Sequence, residues 1–426
     1  MRLKSLAVLI VSATVLAAGC GEGDPTRYVP PRGAALKGDF SGSGPGTLVS
    51  AETLAHLDPI LRSKTSLAAR ITYVSTSGIN DSHSLVSASV FVPNGAPPAG
   101  GWRVVALGHP GSGIDAGCAP SDSPTLSGSL AQVGALIRAG YLVTMTDYQG
   151  LGLRPTDQAP PGLVGPYNGY HPFLDSSTEA YNVIDSVRAA KKLVPVASDA
   201  FAVWGTGQGG QAAWAANEHA ADYQGKLTLV GVVTAAPIAA LDWLADAAAG
   251  STLNREQQLL LLNFLAALKS EYPDFDLDSY RRGAVKHKWD ALTSCRGVTA
   301  QDRSALIDAI GPDDLRPASA EAADALRNYL QKTSLPQAPA AAPMLVAADP
   351  DGVIPQSETD AAVRSACAMG DVIQLGGPPA GEPAPVIQWI TDRFDRVPAV
   401  NDCGSVLVPE GSVPAPEPAG PAEPTG

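Results

Sequence analysis

What the chain lacks narrows its role first. After residue 19 no apolar run is long enough to cross a bilayer, which removes a later membrane span. Basic residues are scarce: 29 Lys and Arg stand against 42 Asp and Glu, a formal net charge of −13. That balance argues against nucleic acid or anionic lipid as the main partner. Cysteine occurs only at positions 20, 118, 295, 367 and 403, a spacing wrong for a zinc site, so no metal or cofactor is expected. No internal repeat is apparent. The six histidines are His56, His83, His109, His171, His219 and His287, and none lies beyond residue 287.

The N-terminus reads as an address. Met1–Lys4 is basic, Leu6–Leu16 is apolar, and Leu16-Ala17-Ala18-Gly19-Cys20 ends the segment. Small residues before a cysteine resemble the bacterial lipobox, although a larger apolar residue usually stands where Ala17 does. The resemblance implies cleavage before Cys20, a lipid on that cysteine, and a protein anchored outside the cytoplasmic membrane. Residues 20–46 are rich in Gly, Pro and polar residues and read as a tether. Residues 409–426 are rich in Pro, Glu and Gly, with almost nothing to bury, and read as a disordered tail.

Between these ends, apolar strand patterns alternate with helical ones. Strands are expected at 71–75, 85–92, 104–107, 141–148, at the run into Gly205, and at 227–234, 343–347 and 372–375. Helices are expected at 123–138, 178–193, 209–223, 358–369 and 385–394. This alternation predicts a doubly wound α/β fold with a mostly parallel sheet. The core would occupy residues 47–235 and 336–408, and the helical block 236–335 would interrupt it as a cap. Four cysteines besides Cys20 in an exported chain predict two disulfides, and spacing alone does not choose among three pairings.

The segment Phe201–Gly210 reads F-A-V-W-G-T-G-Q-G-G. A strand runs into a sharp Gly-rich turn and then a helix. This is the layout of a nucleophile elbow, G-x-S-x-G, with Gly207 where the serine should stand. Gly205–Gly210 also fits G-x-G-x-x-G, the dinucleotide fingerprint. That motif needs an acid closing the next strand, and residues 227–236 carry none, so the elbow reading is preferred.

Four motifs together resemble the secretory lipases of the α/β-hydrolase superfamily. They are Gly108-His109-Pro110-Gly111-Ser112-Gly113 with Cys118-Ala119-Pro120-Ser121, Thr146–Gly152, Trp204–Gly210, and Ala348–Pro355. The resemblance runs from about residue 46 to 403. It implies an α/β-hydrolase fold with a cap, Cys118–Cys295 and Cys367–Cys403 disulfides, and ester hydrolysis by a Ser, Asp, His triad. Asp351 falls on the acid and Gly207 on the nucleophile. The Gln208 N–H, with the Gly111–Ser112 region, falls on the oxyanion hole. No histidine follows Asp351. The loop that holds it in the family reads Gly376–Glu382 here, with Glu382 its only ionisable residue.

Two separate triad positions are therefore lost, which fits decay or repurposing better than a single error. The expectation is a lipid-anchored pseudo-lipase that binds a lipid, an acyl ligand or a partner of unknown identity. The alternatives are an ester hydrolase with a rewired or weak site, for which Ser112, Thr206, His109 and His171 are the stand-ins to inspect, and a structural surface protein.

Overall fold

The computed structural model describes residues 33–153, 157–164, 169–295, 300–349, 352–377 and 383–407. The signal segment, Cys20, Asp351, Glu382 and the 409–426 tail lie outside them. Nine strands form one sheet: β1 (Leu48–Thr53), β2 (Thr65–Thr76), β3 (His83–Pro93), β4 (Trp102–Gly108), β5 (Leu142–Thr146), β6 (Ala197–Thr206), β7 (Thr228–Ala235), β8 (Met344–Ala347) and β9 (Ile373–Leu375). Their order is β1-β2-β3-β5-β4-β6-β7-β8-β9. The first three pair antiparallel with their neighbours, and β5 through β9 run parallel. This is the doubly wound, mostly parallel α/β architecture expected from the alternation, and the hydrolase fold that the resemblance implied.

The parallel strands are buried on both faces, which is why they read as continuous apolar runs. One face carries the helices Ser176–Leu193 and Gln208–Tyr223 against Val104, Phe201, Val203 and Val232. The other carries Leu130–Arg138 and Pro383–Phe394 against Val105, Val143, Trp204 and Val233. Between β7 and β8 the chain leaves for a helical block, from Trp243–Ala249 to Ala320–Thr333. That block has its own apolar cluster, built on Leu244, Leu261, Leu265 and Leu326 and closed on the sheet side by Phe173, Leu174, Ile238 and Ile354.

Two local readings need correction. The helix expected over 123–138 begins only at Leu130, because Leu126 and Ser127 adopt left-handed backbone and turn Leu126 into the core. The stretch 33–46 does not hang free. Leu36 N–H donates to Ala51 O (2.9 Å), Asp39 N–H to Lys192 O (2.9 Å) and Gly46 N–H to Val74 O (2.7 Å). Its polar composition concealed backbone bonds that need no particular side chain.

β4 is the pivot of the topology. The chain passes from β4 to β5 on one side, then returns to β6 on the other, so the crevice at the carboxyl ends of β4 and β6 is the switch point where open α/β sheets bind ligands. Gly108 ends β4 opposite Gly205 of β6. A Cβ on Gly108 would lie 2.6 Å from the Gly209 carbonyl oxygen, and a Cβ on Gly205 or Gly209 would collide with backbone outright. Gly209→Ala should therefore lower stability by about 3 kcal/mol, at the upper end of overpacking costs. Gly111→Ala, whose Cβ would meet its nearest neighbours at an ordinary 3.7 Å, should change it little. Chemical denaturation of both variants checks the contrast.

Candidate active site

The turn after β6 holds Gly207 at φ 59°, ψ −117°. This region is strained for any residue with a Cβ and is free to glycine. The Gly207 N–H donates to Ala235 O (3.0 Å), and its carbonyl accepts from Gln211 N–H (3.1 Å) and Ile238 N–H (3.3 Å). A Cβ there would meet only the Pro110 Cβ, at 3.9 Å, so the position opens onto the β4 loop and has room for a side chain. The helix Gln208–Tyr223 starts at once, and no side chain caps it. Its first-turn N–H groups keep the positive end of the helix dipole at the crevice. The β4 loop, Pro110–Ser112, stands opposite. Its Gly111 is exposed, and the Gln208 Oε1 lies 3.7 Å from where a Gly111 Cβ would be.

Both disulfides implied by the resemblance are bonded, with Cα separations of 5.3 Å for Cys118–Cys295 and 5.2 Å for Cys367–Cys403. The first fastens the β4 loop to the helical block. Gly113, at φ 121°, packs directly on its two sulfurs, and the Cys295 sulfur lies 3.3 Å from the Ser112 carbonyl. A cavity of about 540 Å³ opens beside this junction, lined by Ile114, Tyr170, His171, Lys269, Trp289 and Thr293 among others.

Among the described residues the stand-in candidates do not assemble a triad at the elbow. Thr206 Oγ1 accepts from Gln132 Nε2 at 3.2 Å. His109 is buried, with Nδ1 2.7 Å from Pro110 O and its ring 4.5 Å from that of Tyr148. Burial lowers its pKa, and it orders the loop. His171 is also buried: Nδ1 bonds Gln149 O (3.0 Å) and Nε2 bonds the Gln208 side-chain Nε2 (2.9 Å). An amide nitrogen only donates, so His171 Nε2 accepts and its proton sits on Nδ1. Burial pushes its pKa down to about 3, so it stays neutral and points its lone pair at Gln208. Ser112 Oγ, a buried atom, has no partner among the described residues.

The elbow rests on a buried acid that sequence reading missed. Gln208 Nε2 also donates to Glu179 Oε1 at 2.6 Å, and that oxygen accepts the Leu174 N–H at 3.0 Å. Glu179 is fully buried, and burial pushes its carboxyl up to about 8 against the two hydrogen bonds that lower it. It is thus mostly protonated at neutral pH. The available signal was a charged residue one turn before Val183 on the apolar stripe of its helix. Glu179, Gln208 and His171 together fix the first residue of the elbow helix.

This geometry defines a class: a mostly parallel sheet with a sharp glycine turn between β6 and the helix Gln208–Tyr223 and a helical block inserted between β7 and β8, the fold of an α/β hydrolase. The chain belongs to the secretory lipase family, whose profile matches residues 125–402. Its fold is similar to that of lipase A from Candida antarctica in its closed state (15% identity, 86% of each chain, TM-score 0.63). It is also similar to that of a putative hydrolase from Legionella pneumophila (17% identity, 82% of this chain and 97% of that one, TM-score 0.62). A third likeness is to the rice cell wall degrading esterase LipA from Xanthomonas oryzae (19% identity, 86% and 97%, TM-score 0.60). No curated protein matches the sequence. The secretory family and the two disulfides fit an exported protein. Among the described residues no helix is long and apolar enough to cross a membrane.

Glu179 generates a pH prediction. Its carboxyl value is 4.5 unperturbed and about 8 in the fold, so between these values the folded chain holds a proton that the unfolded chain has released. The stability tied to that proton is complete below the unfolded value and is lost as pH rises to about 8. Glu179→Gln keeps an acceptor for Leu174 and Gln208. Its melting temperature should fall less than wild type's between pH 5 and 8, and parallel melting curves at the two pH values check this.

Proposed function

We propose that the protein is a secretory lipase whose elbow is catalytically inactive, held at the outer face of the membrane by a lipid on Cys20, and that it binds an acyl or lipid ligand between elbow and cap. The observation that carries the reading is Gly207. It keeps the backbone of the nucleophile position, with open space before it, and offers no atom to attack an ester. No histidine follows Asp351 to activate a nucleophile if one were restored. The N–H groups at the helix start and the apolar block above them are parts of a site that can hold a polar head and an apolar chain without chemistry.

Glycine also relieves strain at the turn. Gly207→Ser should fold but lose about 1–3 kcal/mol, and should still fail to hydrolyse long-chain p-nitrophenyl esters above an inactive-protein blank. A higher melting temperature than wild type would contradict the strain argument. Lipase-level turnover would reveal a base at the elbow and favour the rewired-hydrolase reading. The anchor is tested separately: Cys20→Ser should move the protein from the membrane fraction to the soluble one, and unchanged fractionation would remove the lipid from the account.

A further inference from the structure

A serine and a histidine meet elsewhere on the molecule, outside the elbow. Asp175 caps the helix Ser176–Leu193 by accepting from Thr178 N–H at 2.8 Å, which sets Ser177 in the first turn. His219 lies in the last turns of the neighbouring helix, Gln208–Tyr223. The Ser177 Oγ and His219 Nε2 are 3.1 Å apart, within hydrogen-bond reach. The Tyr181 ring packs edge-on against the imidazole, with centroids 4.9 Å apart. Behind the serine, the β2–β3 hairpin presses in so closely that a Cβ on Gly78 would lie 2.5 Å from the Ser177 Cβ. Both side chains of the pair are half-buried, so the geometry is held and one side stays open.

The electrostatics suit a base. Burial lowers the His219 pKa, against the charges of Asp175 and Asp222, which raise it. The ring is therefore neutral at pH 7, with a lone pair available to Ser177.

We propose that Ser177 and His219 form a second nucleophile–base pair, one that hydrolyses small, soluble acyl esters independently of the elbow. Ser177 Oγ attacks the ester carbonyl carbon while His219 Nε2 takes the hydroxyl proton. The ester C–O bond then breaks, and the leaving alkoxide takes that proton to depart as the alcohol. Water attacks the acyl-serine, giving one proton to His219. The acyl–Oγ bond breaks, the carboxylic acid leaves, and His219 returns the proton to Oγ. Both groups are partly exposed, so the pair meets small esters from solvent.

The test treats purified protein with a fluorophosphonate and maps the adduct by mass spectrometry, alongside p-nitrophenyl acetate turnover. The adduct is expected on Ser177. Ser177→Ala and His219→Gln should each reduce acetate turnover by about 100-fold, the middle of the range for general-base contributions. The wild-type pH profile should rise with a midpoint below 6.5, the unperturbed histidine value. Circular dichroism of both variants separates lost chemistry from lost fold. No adduct, or turnover unchanged in both variants, overturns the pair and leaves the inert elbow standing. An adduct at Ser112 overturns the pair and the inert elbow together.

Discussion

The structure depends on one close approach. The ends of β4 and β6 and the first turn of the elbow helix meet backbone to backbone at Gly108, Gly205 and Gly209, with no room for a Cβ at any of the three. That contact lets a strand reverse into a helix within one residue. It brings the β4 loop over the helix start, and so creates the crevice at the switch point. The two outer glycines of the G-x-G-x-G turn are steric requirements of this fold. The middle one, Gly207, is not, since a side chain would have space there. The architecture therefore survives whether or not a nucleophile is present.

The parts around the turn fit that separation. Glu179, Gln208 and His171 interlock by hydrogen bonds of 2.6–3.0 Å and anchor the helix start from below. Cys118–Cys295 ties the β4 loop to the helical block from above. None of these interactions needs a serine or a catalytic histidine. A chain can lose both and keep the crevice, the helix dipole and the apolar lining, which are the elements of binding rather than of bond cleavage. The surface pair Ser177–His219 belongs to a different face of the same two helices and does not draw on the elbow.

Much of this was legible in the sequence because it lies in local patterns. Continuous apolar runs marked β4, β6 and β7, and the glycines of Trp204–Gly210 marked the turn. The order of β1, β2 and β3 was less legible. β1 (Leu48–Thr53) has weak alternation and owes its place to pairing with β2. The break at Leu126 and Ser127 had local signals in Pro124 and Gly128, which the helical reading of 123–138 passed over, and the burial of Leu126 completes it. Glu179 and the Ser177–His219 contact depend on how two successive helices lie side by side, through contacts between residues 29 and 42 positions apart. Periodicity reports a face, not a partner.

The central claim is retention of a ligand site without chemistry, and one experiment bears on both halves. A long-chain ester is mixed with the Ser177→Ala protein, native mass spectrometry reads the complex, and chromatography reads the recovered ester. The account predicts one intact ester bound per protein and no free acid. Released fatty acid or an acyl adduct on the protein would contradict the inert elbow, and absence of any bound ester would contradict the ligand site.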